Sequence, residues 1–262
     1  MKGIGDVVRL TAVLLALVSP MLRAETISLV ISGDTSLSDA LAAYNAAHST
    51  AYVDTDGGAS LGADDIEVSG AGTLVFSRAL GSWTGNLTVL SGAKARAVIN
   101  ETTVLGNAAQ GAAFVDSGAA LVVDHSVNVG NSHAIARTIH IAGDGKAAGE
   151  NGALKLIGNN MTFRSAVPKS LQLDADAILC FGSASGGQDH QFIADQQEVW
   201  NLAGHRLTVT TAGWPHQTRP TFFYGMKVSG GGHLVHDGVG VIFRAATIEG
   251  GAGLPKRRTS SA

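Results

Sequence analysis

The chain has a single cysteine, Cys180, so no internal disulfide can form. Its stability must come from burial and backbone hydrogen bonding instead. Prolines number only 5, aromatic residues make up 5% and charged residues 15%. Net charge is −3, and the basic residues are scattered. A nucleic-acid partner would leave a basic patch or stripe, so that class is set aside. No Gly-Lys-Ser/Thr stretch exists to cradle phosphates, and no His-x-x-x-His pair has the spacing of a zinc site. A Gly-X-Y period is missing too, which excludes collagen.

What the chain has in quantity is glycine, 34 residues, alongside 45% hydrophobic residues. That apolar content is ample for a core, and argues against disorder. Val68-Ser69-Gly70-Ala71-Gly72-Thr73-Leu74-Val75 returns as Val228-Ser229-Gly230-Gly231-Gly232-His233-Leu234-Val235. A glycine turn leading into a short apolar strand, used twice, is the signature of a repeat protein whose units bury their faces against each other.

The first residues read as an export signal. Lys2 and Arg9 form a positive start, Leu10 to Val18 an apolar stretch, and Ser19-Pro20 a break. Leu22-Arg23-Ala24 then offers a small residue for cleavage after Ala24. The competing reading is a membrane anchor, but the apolar run is shorter than the ~20 residues a bilayer needs. No later stretch is apolar enough to span, so the mature chain is expected to carry no membrane-spanning segment.

Residues 25–65 form a lead-in with a strand at Ile27–Ile31 and a helix over Leu37–Ala47, where Leu37, Leu41 and Tyr44 recur at helical spacing. Ser36 or Ser38 supplies the cap. The helix either covers the open end of a stack or is a side insertion. From Ile66 to Pro255 short apolar runs alternate with small or polar residues, separated by Ser-Gly, Gly-Asn, Asp-Gly and Gly-Gly turns. Such runs suit a sandwich, a barrel or a parallel β-helix. The repeat and the tight Gly-x-Gly turns favour the last. Leu74, Leu87, Val89, Leu121, Val123, Ile139, Leu154, Leu156, Leu171, Leu173, Leu207 and Val241 are expected to point inward. Residues 256–262 read as a polar tail.

Val68 to Phe76, followed by Trp83-Thr84-Gly85-Asn86-Leu87-Thr88-Val89-Leu90-Ser91-Gly92-Ala93, resembles the autotransporter-associated β-strand repeat. The segment from Val228 to Leu254 is a thinner match that lacks the Tyr-Thr-Gly turn, and Leu202 to Val209 is similar to a strand common beside such repeats. The resemblance implies an all-β, right-handed parallel β-helix with a short N-terminal helix, exported as a surface-displayed or secreted passenger with a structural or adhesive role. Many members end in a membrane barrel, whereas no run of barrel-length strands follows Leu254 here.

Chemistry is sought in the carboxylates, because β-helices also carry polysaccharide-acting enzymes. Asp64-Asp65 and Asp174/Asp176 are paired, but Asp also serves turns and rims. His205, His216, His233, His236 and Asp189-His190 read as isolated surface groups, with His233 and His236 pointing in different directions. Gly182 to Gly187 is a glycine-serine loop without the setting of a nucleophile elbow. Cys180, inside Ala177–Phe181, reads as a small buried hydrophobe. Trp200, Trp214, Phe222, Phe223 and Tyr224 form either core packing or a sugar-stacking platform. No catalytic, cofactor-binding or metal-binding residue is therefore assigned. The partner class is a glycan or a host surface, with a polysaccharide-acting enzyme or a carbohydrate-binding module as alternatives. An enzyme would gather at least two carboxylates, or a carboxylate and a basic residue, within a few ångströms in one groove.

Overall fold

The computed structural model describes residues 24–54, 60–99, 104–106, 111–126, 135, 137–158, 162–164, 170–183, 191–193, 199–211, 221–224, 227–237, 241–244, 247–248 and 253–257. The chain opens with β1 (Thr26–Val30), β2 (Asp34–Ser36) and α1 (Leu37–His48). Next come β3 (Asp65–Ser69), β4 (Thr73–Phe76), β5 (Leu87–Val89), β6 (Lys94–Val98), β7 (Ala112–Val115), β8 (Ala120–His125) and β9 (Thr138–Gly143). After a 3-10 turn at Lys146–Ala148 follow β10 (Leu154–Gly158), β11 (Thr162–Arg164), β12 (Ser170–Ser183), β13 (Gln191–Ile193), β14 (Val199–Asn201) and β15 (Arg206–Thr210). The last are β16 (Thr221–Tyr224), β17 (Lys227–Ser229), β18 (His233–Asp237), β19 (Val241–Arg244), β20 (Thr247–Ile248) and β21 (Gly253–Arg257).

Every pairing among the described strands is parallel, and most link a strand to its next-but-one neighbour. Two columns result, curled into one sheet. One runs β1-β3-β5-β7-β9, through the first part of β12, to β14-β17-β20. The other runs β2-β4-β6-β8-β10, through the second part of β12, to β15-β18-β21. A third, shorter column is β11-β13-β16-β19. This is an all-β, solenoid-like stack with one α-helix.

Along the strands whose side chains are described, alternation sends every second side chain inward, where it meets its counterpart one rung away. Ile27, Ile66, Leu87, Ala113, Ile139, Leu171, Trp200 and Val228 form one such buried row. Leu74, Ala95, Leu121, Leu154, Leu179 and Val209 form another. Of the residues expected inside, Leu74, Leu87, Val89, Leu121, Val123, Ile139, Leu154, Leu156, Leu171, Leu173 and Leu207 are all buried. Val241 lies outside the residues whose side chains are described.

β1 and β2 pair in parallel with β3 and β4, so the ladder begins at Thr26 and includes the lead-in strand. At the other end β21 runs to Arg257, into the expected tail. Helix α1 is capped by Ser36, whose hydroxyl accepts from the Asp39 amide at 3.1 Å, and Leu37, Ala40 and Leu41 are its buried residues. It packs against β1, β2 and β4.

The glycines of the repeated motif have a steric cause. Gly70 and Gly230 hold φ of 91° and 83°, in the left-handed region. A Cβ at Gly70 would overlap the carbonyl of Ile31 one rung below, and a Cβ at Gly230 the Asn201 side chain. The turn lets neighbouring coils approach to backbone contact, and only glycine fits there.

Candidate functional site

Polar side chains gather where β12 changes column. Its register slips between Leu173 and Ala177, which throws Asp174, Ala175 and Asp176 outward as a corner. Asp174 and Asp176 are 49% and 58% exposed. A cleft of about 410 Å³ opens beside the corner, lined in part by Ser117, Asp144, Asp176, Ile178, Arg206 and Thr208. The stack therefore does bring two carboxylates and an arginine into one groove.

The pairing pattern shows what these groups are committed to. The Arg206 amide donates to Asp176 Oδ1 at 2.8 Å, and Arg206 Nη2 lies 3.6 Å from Oδ2. His205 Nδ1 is 4.0 Å from the same carboxylate. One rung away, His140 Nδ1 sits 3.1 Å from Asp174 Oδ1 and its ring packs against Phe114 at 4.6 Å. The backbone amide and ammonium of Lys146 hold the Asp144 carboxyl below its ordinary range, against a small desolvation cost. Asp144 is thus ionised at neutral pH and has no proton to give. A working acid/base pair needs environments that push two pKa values apart in a secluded cleft. This corner offers instead fixed acceptors, a guanidinium and hydroxyls on an open surface, an inventory suited to hydrogen-bonding a polyhydroxylated ligand.

The other sequence candidates scatter. Asp64 and Asp65 separate: Asp64 accepts from the Glu25 amide and the Tyr52 hydroxyl, both at 2.9 Å, while Asp65 Oδ1 accepts from the Asn86 amide at 2.6 Å. His233 is exposed opposite Arg206, whereas His236 pairs in register with the core residue Val209, so the two face opposite ways. Cys180 is fully buried, its thiol 3.6 Å from the Phe181 carbonyl. Trp200 is core. His190, Asp189, His216, Trp214, the 184–187 loop and the side chains of Phe222, Phe223 and Tyr224 lie outside the described residues, as do positions 1–23.

Sequence reading did not single out Asp144, Ser117, His140 or Arg206 as site residues. The only signal was separation by one coil. His140 and Asp174 are 34 residues apart, and Asp176 and Arg206 are 30 apart. That spacing becomes informative once the register is known.

A second groove, about 320 Å³, runs between β1 and α1, partly lined by Val30, Ile31, Ala40, Tyr44 and His48. Among the described residues no group of three or more His, Cys, Asp or Glu is placed to hold a metal ion. No described helix is long and apolar enough to cross a membrane. Comparison with family models, with curated proteins and with solved structures returns no match.

Proposed function

We propose that this chain is an exported, right-handed parallel β-helix with a structural or adhesive role at a cell surface or in the medium, and a glycan or host surface as its partner. The observation that carries the proposal is the parallel ladder of the described strands, which presents polar rows and an ion-paired corner to solvent. Right-handedness follows from the strong chiral preference of parallel crossover connections. The apolar leader and the likeness of Val68–Ala93 to passenger repeats support export.

The reading is non-enzymatic, because the acids at the corner are engaged by Arg206, His205, His140 and Lys146 and stand open to water. The full chain, expressed with its own leader in a Gram-negative host, should be recovered outside the cytoplasm. The recovered protein should retain immobilised glycans on an array, and leave pectin and alginate uncleaved. Turnover abolished by Asp176→Asn would replace this reading with the enzyme one.

A further inference from the structure

The first rung of the stack begins at Glu25, directly after the expected cleavage point. Both sides of that bond, Ala24 and Glu25, are exposed. The Glu25 carbonyl already accepts from the Asp65 amide at 2.8 Å, so the residue is locked into the ladder. Its nitrogen faces Asp64 Oδ1 at 2.9 Å.

Asp64 is built into its place from every side. Its amide donates to the Leu61 carbonyl at 2.9 Å, and its own carbonyl accepts from the Trp83 indole at 2.8 Å. Its second carboxylate oxygen takes the Tyr52 hydroxyl at 2.9 Å. Tyr52 is in turn clamped by the Asn45 side-chain amide of α1, at 3.0 Å to its N–H and 2.6 Å to its carbonyl.

We propose that Asp64 is the receptor for the mature N-terminus: cleavage between Ala24 and Glu25 places the new α-ammonium against Asp64 Oδ1. The proposal rests on the export reading. In the cleavage a water oxygen adds to the Ala24 carbonyl carbon and the C–N bond breaks. Ala24 leaves as a carboxylate, and the Glu25 nitrogen takes up protons. A hydrogen bond charged only on its acceptor becomes an ammonium–carboxylate ion pair, charged on both sides. Removal of the leader thereby fastens the first coil to the second.

The charged and titratable groups at this corner are Asp64, Asp65, the Glu25 side chain, Tyr52, Tyr44 and, behind Asp65, the buried Arg137 guanidinium. Burial, with the hydrogen bond to Asp64 and the charges of Asp64 and Glu25, pushes the Tyr52 hydroxyl up to about 12. It remains a donor throughout the range in which an α-amine titrates. The carboxylates of Asp64, Asp65 and Glu25 favour the protonated amine, while the buried Arg137 cation beside Asp65 opposes it.

The test uses protein expressed as the full chain and recovered after export. Intact mass gives the first residue. Acetylation rate of the α-amine against pH, read by peptide mass spectrometry, gives its pKa. The expected result is a chain beginning at Glu25 whose amine titrates about 0.5 to 1 unit above the ordinary 7.7–8.0. Asp64→Asn should return it to the ordinary range. Should that variant fail to fold, one alanine inserted between Ala24 and Glu25 moves the amine away and should do the same. A chain beginning at Glu25 with an ordinary amine, or beginning elsewhere after removal of the leader, overturns this inference and leaves the export reading standing. An exported chain still beginning at Met1 overturns the inference and the cleavage expectation together.

Discussion

At the scale of single residues, Arg137 is the side chain with most at stake. It is fully buried, 4.0 Å over the Trp83 ring. Its guanidinium donates to the carbonyls of Trp83 at 3.0 Å and of Gly85. Desolvation lowers its pKa to about 10 against the pull of Asp65, so it is still a cation at pH 7. Replacing it with Met removes those donors and leaves buried carbonyls unpaired. We expect Arg137→Met to lose about 3 kcal/mol, seen as a lower urea midpoint with unchanged slope. Lys cannot rescue it, because a point charge does not reproduce a planar fork. Gly70→Ala should lose about 2 kcal/mol or more in the same measurement, since it meets both a left-handed φ and the Ile31 carbonyl. The glycine was legible in the sequence through its repetition. The arginine was not, because nothing in a lone basic residue tells whether it reaches solvent or folds back over an indole.

At the scale of elements, the segment between β9 and β10 is a strap. Glu150 within it bonds Lys94 on β6 and Lys155 on β10, each at 2.7 Å. Those strands flank β8, which is buried along its whole length on both faces. Desolvation works to raise the Glu150 pKa, but its bonds to Lys155 and Lys94 win and lower it. Burial works to raise the pKa of Asp124, 2% exposed on β8, as well, but the hydroxyl and amide of Ser126, and then Arg96, lower it. A depressed carboxyl stabilises the fold above its unfolded pKa, about 4.3 for Glu and 3.9 for Asp. That contribution disappears as pH falls through the folded values. The thermal midpoint should therefore drop between about pH 5 and pH 2, and Glu150→Gln should flatten part of that drop. An unchanged acid limb in the variant would exclude the strap as its source. The strap is glycine-rich and lacks periodicity, so sequence patterning gave no sign of what it covers. Alternation in β5, β7 and β9 was plain by contrast, because one face of each is core and the other is not.

At the scale of the whole molecule, each coil rests on its immediate neighbours, and stability accumulates along the stack. Period-2 alternation made the inward rows readable, and the paired glycine motif made the stacking readable. At the β12 corner the Asp174/Asp176 pair was legible, but its partners His140 and Arg206 stayed hidden, because they arrive from neighbouring coils whose register no local pattern announces. Amide exchange should grade accordingly. Strands β6, β8 and β10 should exchange slowest, and β1, which among the described strands pairs only with β3, fastest among the first five strands of its column. Uniform exchange along that column would contradict a neighbour-by-neighbour stack.

The Glu150 strap breaks that neighbour rule, since it fastens two coils that do not touch through their strands. A stack unravelling from its first rung behaves like a zip, and a zip stops at a stitch sewn across the teeth. Opening that starts at Thr26 would run coil by coil and then stall at the strap. The remainder would be left as a folded block. A protease attacking the partly opened chain would meet a boundary there, and the molecule would lose its N-terminal coils before it lost its middle.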